Sequence, residues 1–209
     1  MFPSLYAILD AELAGERCFS IAENLASSGV EIIQYRNKAA SSRLLYGECS
    51  RLIELLRGRS RFIVNDRADV AALCGADGVH VGQEDIAAED ARAMYGPERW
   101  VGVSTHNLTQ FKSAIQTSAD YIAVGPIFPT ASKKNSDPVV GLDFVRRVRA
   151  LASKPIVAIG GITLENAAEV FRAGADSIAV IRDLIGSPDP ASRARQFLKL
   201  ASEIRHSQN

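Results

Sequence analysis

Short apolar runs alternate with longer stretches whose apolar positions recur every three or four residues, from one end of this 209-residue chain to the other. The short runs predict buried strands over 5–9, 32–35, 62–64, 78–81, 101–103, 121–124, 156–158 and 178–181. The amphipathic stretches between them predict helices over 20–28, 41–56, 68–74, 87–94, 108–117, 142–151, 164–172 and 190–204. Runs such as Phe62-Ile63-Val64 and Ile156-Val157-Ala158 are apolar on both faces, as parallel strands are when helices cover one side and a packed interior the other. A small residue followed by Ala-Asp recurs at Gly75-Ala76-Asp77, Ser118-Ala119-Asp120 and Gly174-Ala175-Asp176. Each copy marks one event: a helix stops, the chain turns, and a buried strand begins.

Eight such units predict an α/β protein, a single (β/α)8 TIM barrel occupying 1–209 as one domain. A doubly wound open sheet is the competing arrangement, but its GxGxxG fingerprint does not follow the first strand. A hydrophobic content of 47% supplies one substantial core. Lys and Arg together number 24, as do Asp and Glu, so the chain lacks the basic excess expected of a nucleic-acid or acidic-membrane surface. The N-terminus has no signal-peptide pattern and no apolar run reaches membrane-spanning length, so a cytoplasmic location is expected. Cys18, Cys49 and Cys74 form neither a CxxC nor a Cys/His cluster, which predicts free thiols.

A ring of βα units collects its chemistry where the strands end. In Gln34-Tyr35-Arg36-Asn37-Lys38, period-two geometry sends Gln34, Arg36 and Lys38 to one side, a trio suited to a phosphate or diphosphate. Asp66 follows the third strand and Asp85 the fourth. Facing each other, they would repel unless a cation lay between them, and two carboxylates plus phosphate oxygens are magnesium's usual ligands. An N-cap role is the alternative for Asp66. His80 fits a hydrogen-bonded core histidine at least as well as a catalytic one. After the fifth strand, Ser104 can bond a ligand, His106 can shuttle a proton, and Asn107 can cap the next helix. The polar insertion 125–138 reads as a lid offering Thr130, Ser132 and Lys133 to an anion, with ordinary loop disorder as the alternative. Gly160-Gly161 after the seventh strand and the Ile181-Arg182 turn after the eighth read as a phosphate cradle. GxSxG is absent, which argues against a serine hydrolase.

Taken in order, Gln34-Tyr35-Arg36-Asn37-Lys38, Val64-Asn65-Asp66-Arg67, 77–85, Gly102-Val103-Ser104-Thr105-His106, 125–130 and Ile159-Gly160-Gly161-Ile162 closely resemble the thiamine phosphate synthase family. The match spans nearly the whole chain, and its specificity lies in the shared order and spacing of these strings. The resemblance implies a transferase that joins a hydroxymethyl-aminopyrimidine diphosphate to a thiazole phosphate, releasing diphosphate. It implies Mg2+ at Asp66 and Asp85, diphosphate at Arg36, Lys38, Thr130, Ser132 and Lys133, and catalytic roles for Lys133, Arg36 and Lys38. It further implies the aminopyrimidine at Gln34, Asn65 and Ser104, and a monophosphate at Gly161 with Ile181 and Arg182. The partners are then small-molecule substrates, and a homo-oligomer is expected only on general grounds. Three positions depart from the family pattern: Ala131-Ser132 replaces repeated threonines, Arg182 replaces a small serine, and Leu9 replaces a polar residue. A thiazole tautomerase using His106 as acid/base, or a silent phosphate-ligand-binding regulator, are the alternatives.

Overall fold

Eight parallel strands pair in sequential order and close on themselves, β8 lying beside β1. The computed structural model describes residues 2–130 and 137–207. The strands are β1 (Leu5–Asp10), β2 (Ile32–Arg36), β3 (Arg61–Asn65), β4 (Gly78–Val81), β5 (Trp100–Thr105), β6 (Tyr121–Val124), β7 (Ile156–Ile159) and β8 (Ser177–Val180). Around them run α1 (Ala11–Ala14), α2 (Cys18–Ser27), α3 (Ser42–Leu56), α4 (Ala68–Cys74), α5 (Ala88–Tyr95), α6 (Leu108–Ile115), α7 (Gly141–Arg149), α8 (Leu164–Arg172), α9 (Arg182–Ile185) and α10 (Pro190–Ser207). The expected barrel is therefore the observed one.

Alternation along each strand separates two cores. Leu5, Ala7, Leu9, Ile33, Val64, Val79 and Val101 face outward and pack with the apolar stripes of the helices. Tyr6, Ile8, Ile32, Ile63, Tyr121, Ala123, Val157 and Ala179 fill the barrel itself. Large and small residues interlock within it: a Cβ on Gly102 would lie 2.1 Å from the Tyr121 ring, so that ring occupies the space glycine leaves. Phe2 stacks on Trp100 at 5.1 Å and packs on Tyr121 at 5.2 Å beneath this layer.

The repeated Ala-Asp acids share one task. Asp77, Asp120 and Asp176 each accept a hydrogen bond from the first N–H groups of the preceding strand, from Phe62 at 2.8 Å, Val101 at 2.7 Å and Ile156 at 2.8 Å. Each also donates its own N–H to the carbonyl of that same residue. Arg92 and Arg149 add ion pairs to Asp120 and Asp176 at 2.5 and 2.6 Å. The motif thus clasps neighbouring strands at the lower rim, where strands begin.

Several strands outrun their apolar runs, because Asp10, Arg36, Asn65, Ser104 and Thr105 continue the ladder; Asp10 pairs with Arg36, and the Thr105 hydroxyl donates to Ala123 O. The eighth strand starts one residue early, at Ser177, and Ile181 instead precedes α9. The short helix α1 carries no hydrophobic periodicity; Asp10 creates it by capping Leu13 N at 3.1 Å. Cys18 and Cys49 are buried, Cys74 is half-buried, and all three are free thiols. Among the described residues no helix is long and apolar enough to cross a membrane.

Candidate active site

Strand register assembles the mouth. Asp10 pairs with Arg36 across β1 and β2, Gln34 with Ile63 across β2 and β3, and Asn65 with His80 across β3 and β4. Gln34 and Arg36 share the inward face, as alternation requires. The Arg36 guanidinium donates to the Asp10 carboxylate, an ion pair largely withdrawn from solvent that holds the fork in place. Lys38, two residues beyond β2, reaches the Asp66 carboxylate at 3.2 Å and keeps an exposed ammonium.

Asp66 does not cap α4; Arg67 holds that position without a side-chain cap. Asp66 instead has φ 64, the one positive φ outside glycine among the described residues, and its N–H donates to His80 O at 2.8 Å. Left-handed backbone at a non-glycine residue is held by its surroundings and concentrates at functional sites. Asp85 stands at the adjacent rim, its carboxylate accepting from Gly82 N at 2.7 Å. Partial burial, and then the neighbouring Asp66, push the Asp85 carboxyl up from its ordinary value. The two acids that strand order suggested as neighbours stand at the same end of the barrel, near enough for Asp66 to act on the Asp85 carboxyl. Two hard oxygen donors beside each other suit a divalent cation such as magnesium. Among the described residues no third His, Cys, Asp or Glu joins them, so substrate oxygens and water would complete the coordination.

Gln34 is 3% exposed, and among the described residues its buried Oε1 has no hydrogen-bond partner. Such an acceptor is costly unless a ligand supplies a donor. Asn65 sits at the end of β3, half-buried. Ser104 ends the inward face of β5; its hydroxyl lies 2.9 Å from His80 Nε2, and its carbonyl accepts from Gln83 Nε2 at 2.6 Å. His106 Nδ1 meets Gly125 O at 2.7 Å and its Nε2 lies 3.5 Å from the Asp137 carboxylate. Asn107 caps α6 as expected, accepting from Gln110 N at 3.0 Å.

Gly160 and Gly161 follow β7 with φ 102 and 62. A Cβ on Gly161 would lie 2.5 Å from Pro129 O, and one on Gly160 2.5 Å from Pro126, so packing against the segment after β6 already demands glycine at both. The neighbouring turn of Ile181 and Arg182 is tied to it by Asp183, whose carboxylate accepts from Leu164 N at 3.0 Å and from Arg193 at 2.8 and 3.0 Å. Arg182 is exposed and Thr130 half-buried. Ser132 and Lys133 lie outside the described residues. Leu9 faces the helical shell, so the inward residue at the end of β1 is Asp10, which an apolar run ending at Leu9 leaves out of view.

The chain matches the thiamine monophosphate synthase family over residues 5–184. It is 49% identical to the thiamine-phosphate synthase of Koribacter versatilis (strain Ellin345), with 95% of each chain covered. It is 44% identical to that of Chloroflexus aurantiacus, over 95% of this chain and 92% of the other. Among solved structures, thiamine phosphate pyrophosphorylase from Pyrococcus furiosus superposes with a TM-score of 0.88 at 35% identity, covering 96% of each chain. A family match running from the first strand past the last, with relatives this similar over nearly their full length, makes this chain a member of the thiamine monophosphate synthase family.

Proposed function

We propose that this chain joins 4-amino-2-methyl-5-hydroxymethylpyrimidine diphosphate to a thiazole phosphate, forming thiamine phosphate and releasing diphosphate. The observation that carries the reading is the Asp66, Asp85, Lys38 and Arg36 constellation at the barrel mouth: two neighbouring acids for a divalent ion, with Lys38 on Asp66 and Arg36 held by Asp10 as the cations for a diphosphate. Family membership and the names of the relatives support the same reaction.

The bond between the pyrimidine methylene and the diphosphate oxygen breaks, and its electron pair leaves with the diphosphate. The thiazole nitrogen then supplies the pair for the new C–N bond, so no side-chain nucleophile is needed. Asp66 and Asp85 would hold magnesium, which would supply charge neutralisation for the leaving group. Arg36, fixed by Asp10, forks across diphosphate oxygens, and Lys38 and Lys133 add point charges. Gln34 Oε1 accepts from the exocyclic amine, while Asn65 and Ser104 hold the ring. The thiazole phosphate rests at Gly161 and the Ile181-Arg182 turn. Thr130, Ser132 and Lys133 offer two hydroxyls and a charge to the diphosphate, as the family resemblance implies.

Neither a tautomerase nor a silent binder is favoured, since neither requires paired acids beside paired cations. The test supplies purified protein with both substrates and magnesium and follows thiamine phosphate by chromatography. Product formation that stops on chelation is expected. Failure to form thiamine phosphate overturns the reaction, and undiminished turnover with the metal chelated overturns the role of the acid pair.

A further inference from the structure

A polar chain runs through the barrel interior, and the reaction above uses only its last member, Ser104. The Tyr6 and Tyr121 hydroxyls are 2.7 Å apart, Tyr121 OH is 3.2 Å from His80 Nδ1, and His80 Nε2 is 2.9 Å from Ser104 Oγ. The four side chains come from β1, β6, β4 and β5, and they lead from the sealed interior to the mouth. Both phenols are fully buried, His80 is 8% exposed, and its ring stacks on Tyr121 with centroids 5.6 Å apart.

Counting protons gives the chain a direction. Among the described residues the Tyr6 hydroxyl hydrogen-bonds only to Tyr121, so its single proton is satisfied only when aimed at the Tyr121 oxygen. Burial pushes both phenols well up, so both keep their protons. The Tyr121 proton then goes to His80 Nδ1, the ring proton sits on Nε2, and Nε2–H donates to Ser104 Oγ. The Ser104 proton is left for the mouth. Reversing every bond would strand the Tyr6 proton in an apolar interior, leaving a buried donor unsatisfied.

We infer that His80 is a positioning residue: through Tyr121 and Tyr6 it is locked as the Nε2–H tautomer and presents Ser104 as a hydrogen-bond donor to the substrate ring. The inference rests on the proposed function for the identity of that ring. Its consequence is specificity for a heteroaromatic ring with an acceptor nitrogen facing Ser104. An analogue carrying C–H there leaves the serine proton without a partner and is rejected.

Two independent readouts test this. Nitrogen-15 NMR of the imidazoles, with the His80 signals assigned by their loss in His80→Gln, should report protonation at Nε2 in the wild type. An Nδ1–H tautomer overturns the inference. In turnover, His80→Phe should lower kcat/KM for the pyrimidine diphosphate by about tenfold or more and leave KM for the thiazole phosphate unchanged. His80→Gln, whose amide nitrogen replaces Nε2–H, should regain part of that loss. Because His80 acts through Ser104, neither substitution should matter further in a Ser104→Ala background. Equal losses in both backgrounds overturn the positioning role. Tyr121→Phe, which keeps the ring and removes the hydroxyl, should mix the two tautomers in the NMR spectrum. A spectrum that still reports Nε2–H alone overturns the role of the tyrosines. Wild-type protein with the Nε2–H tautomer but no synthase turnover overturns the proposed reaction and leaves the proton order standing.

Discussion

The two ends of the barrel use the same residue types differently. At the lower rim, Asp77, Asp120 and Asp176 meet backbone N–H groups, and the last two also meet arginines, so acceptor and donor are matched within the fold. At the mouth, Asp66 pairs with an exposed Lys38 and Asp85 accepts from Gly82 N, yet the two acids still lie near enough for Asp66 to push the Asp85 carboxyl up; among the described residues Gln34 Oε1 has no partner, and Asp66 keeps a left-handed backbone. The lower end is satisfied by itself, whereas the mouth is complementary to something else. Carboxylates stand at both ends; what separates them is whether the protein supplies all of their partners.

Substitutions should therefore separate the ends into stability and activity. The largest effect is expected for Asp66→Asn and Asp85→Asn, each lowering kcat by at least about 10³-fold with the melting temperature barely changed, because asparagine keeps the shape and tolerates the left-handed backbone at 66. Calorimetry beside a turnover assay checks this, and a melting loss that matches the activity loss would move these acids into the structural class. Gly102→Ala comes next. Its methyl group collides with the Tyr121 ring, costing about 1–3 kcal/mol in denaturant unfolding. Asp120→Ala and Asp176→Ala should each cost about 1–2 kcal/mol and lower the melting point by roughly 2–8 °C, with kcat unchanged. A change in kcat would end the division of labour between the rims. The smallest shift has the opposite sign. Gln34→Met removes the unmatched oxygen and should stabilise the fold by about 1 kcal/mol while lowering kcat/KM about tenfold. Loss of both stability and activity would mean that the Gln34 oxygen is satisfied in the free protein.

How much of this was legible in sequence depends on the range of the interaction. The strands and helices follow from periods of two and 3.6, which are local, and all eight strands fall where the apolar runs lie. Asp66, Asp85, Arg36 and Lys38 were visible because each sits just past an apolar run, where a barrel places its chemistry. Asp10 was not: its importance comes from register with Arg36, 26 residues away, which pairing alone reveals. The Ala-Asp repeat announced itself, but its task did not, because each acid reaches back to the start of a strand 15 to 20 residues earlier. His80 was seen as a histidine among apolar neighbours; its partners come from two other strands. The glycines after β7 carry a second demand that a local reading does not show: packing against the segment after β6 would require them without any ligand.

The fit of Tyr121 over Gly102 couples two traits that look independent. Any lineage that enlarges residue 102 must trim the ring opposite, and trimming it severs the relay that aims the serine. How the barrel is filled and how it reads an aromatic nitrogen are thus inherited together, so a redesign aimed at a different heterocycle would have to rebuild the interior from that pair outward.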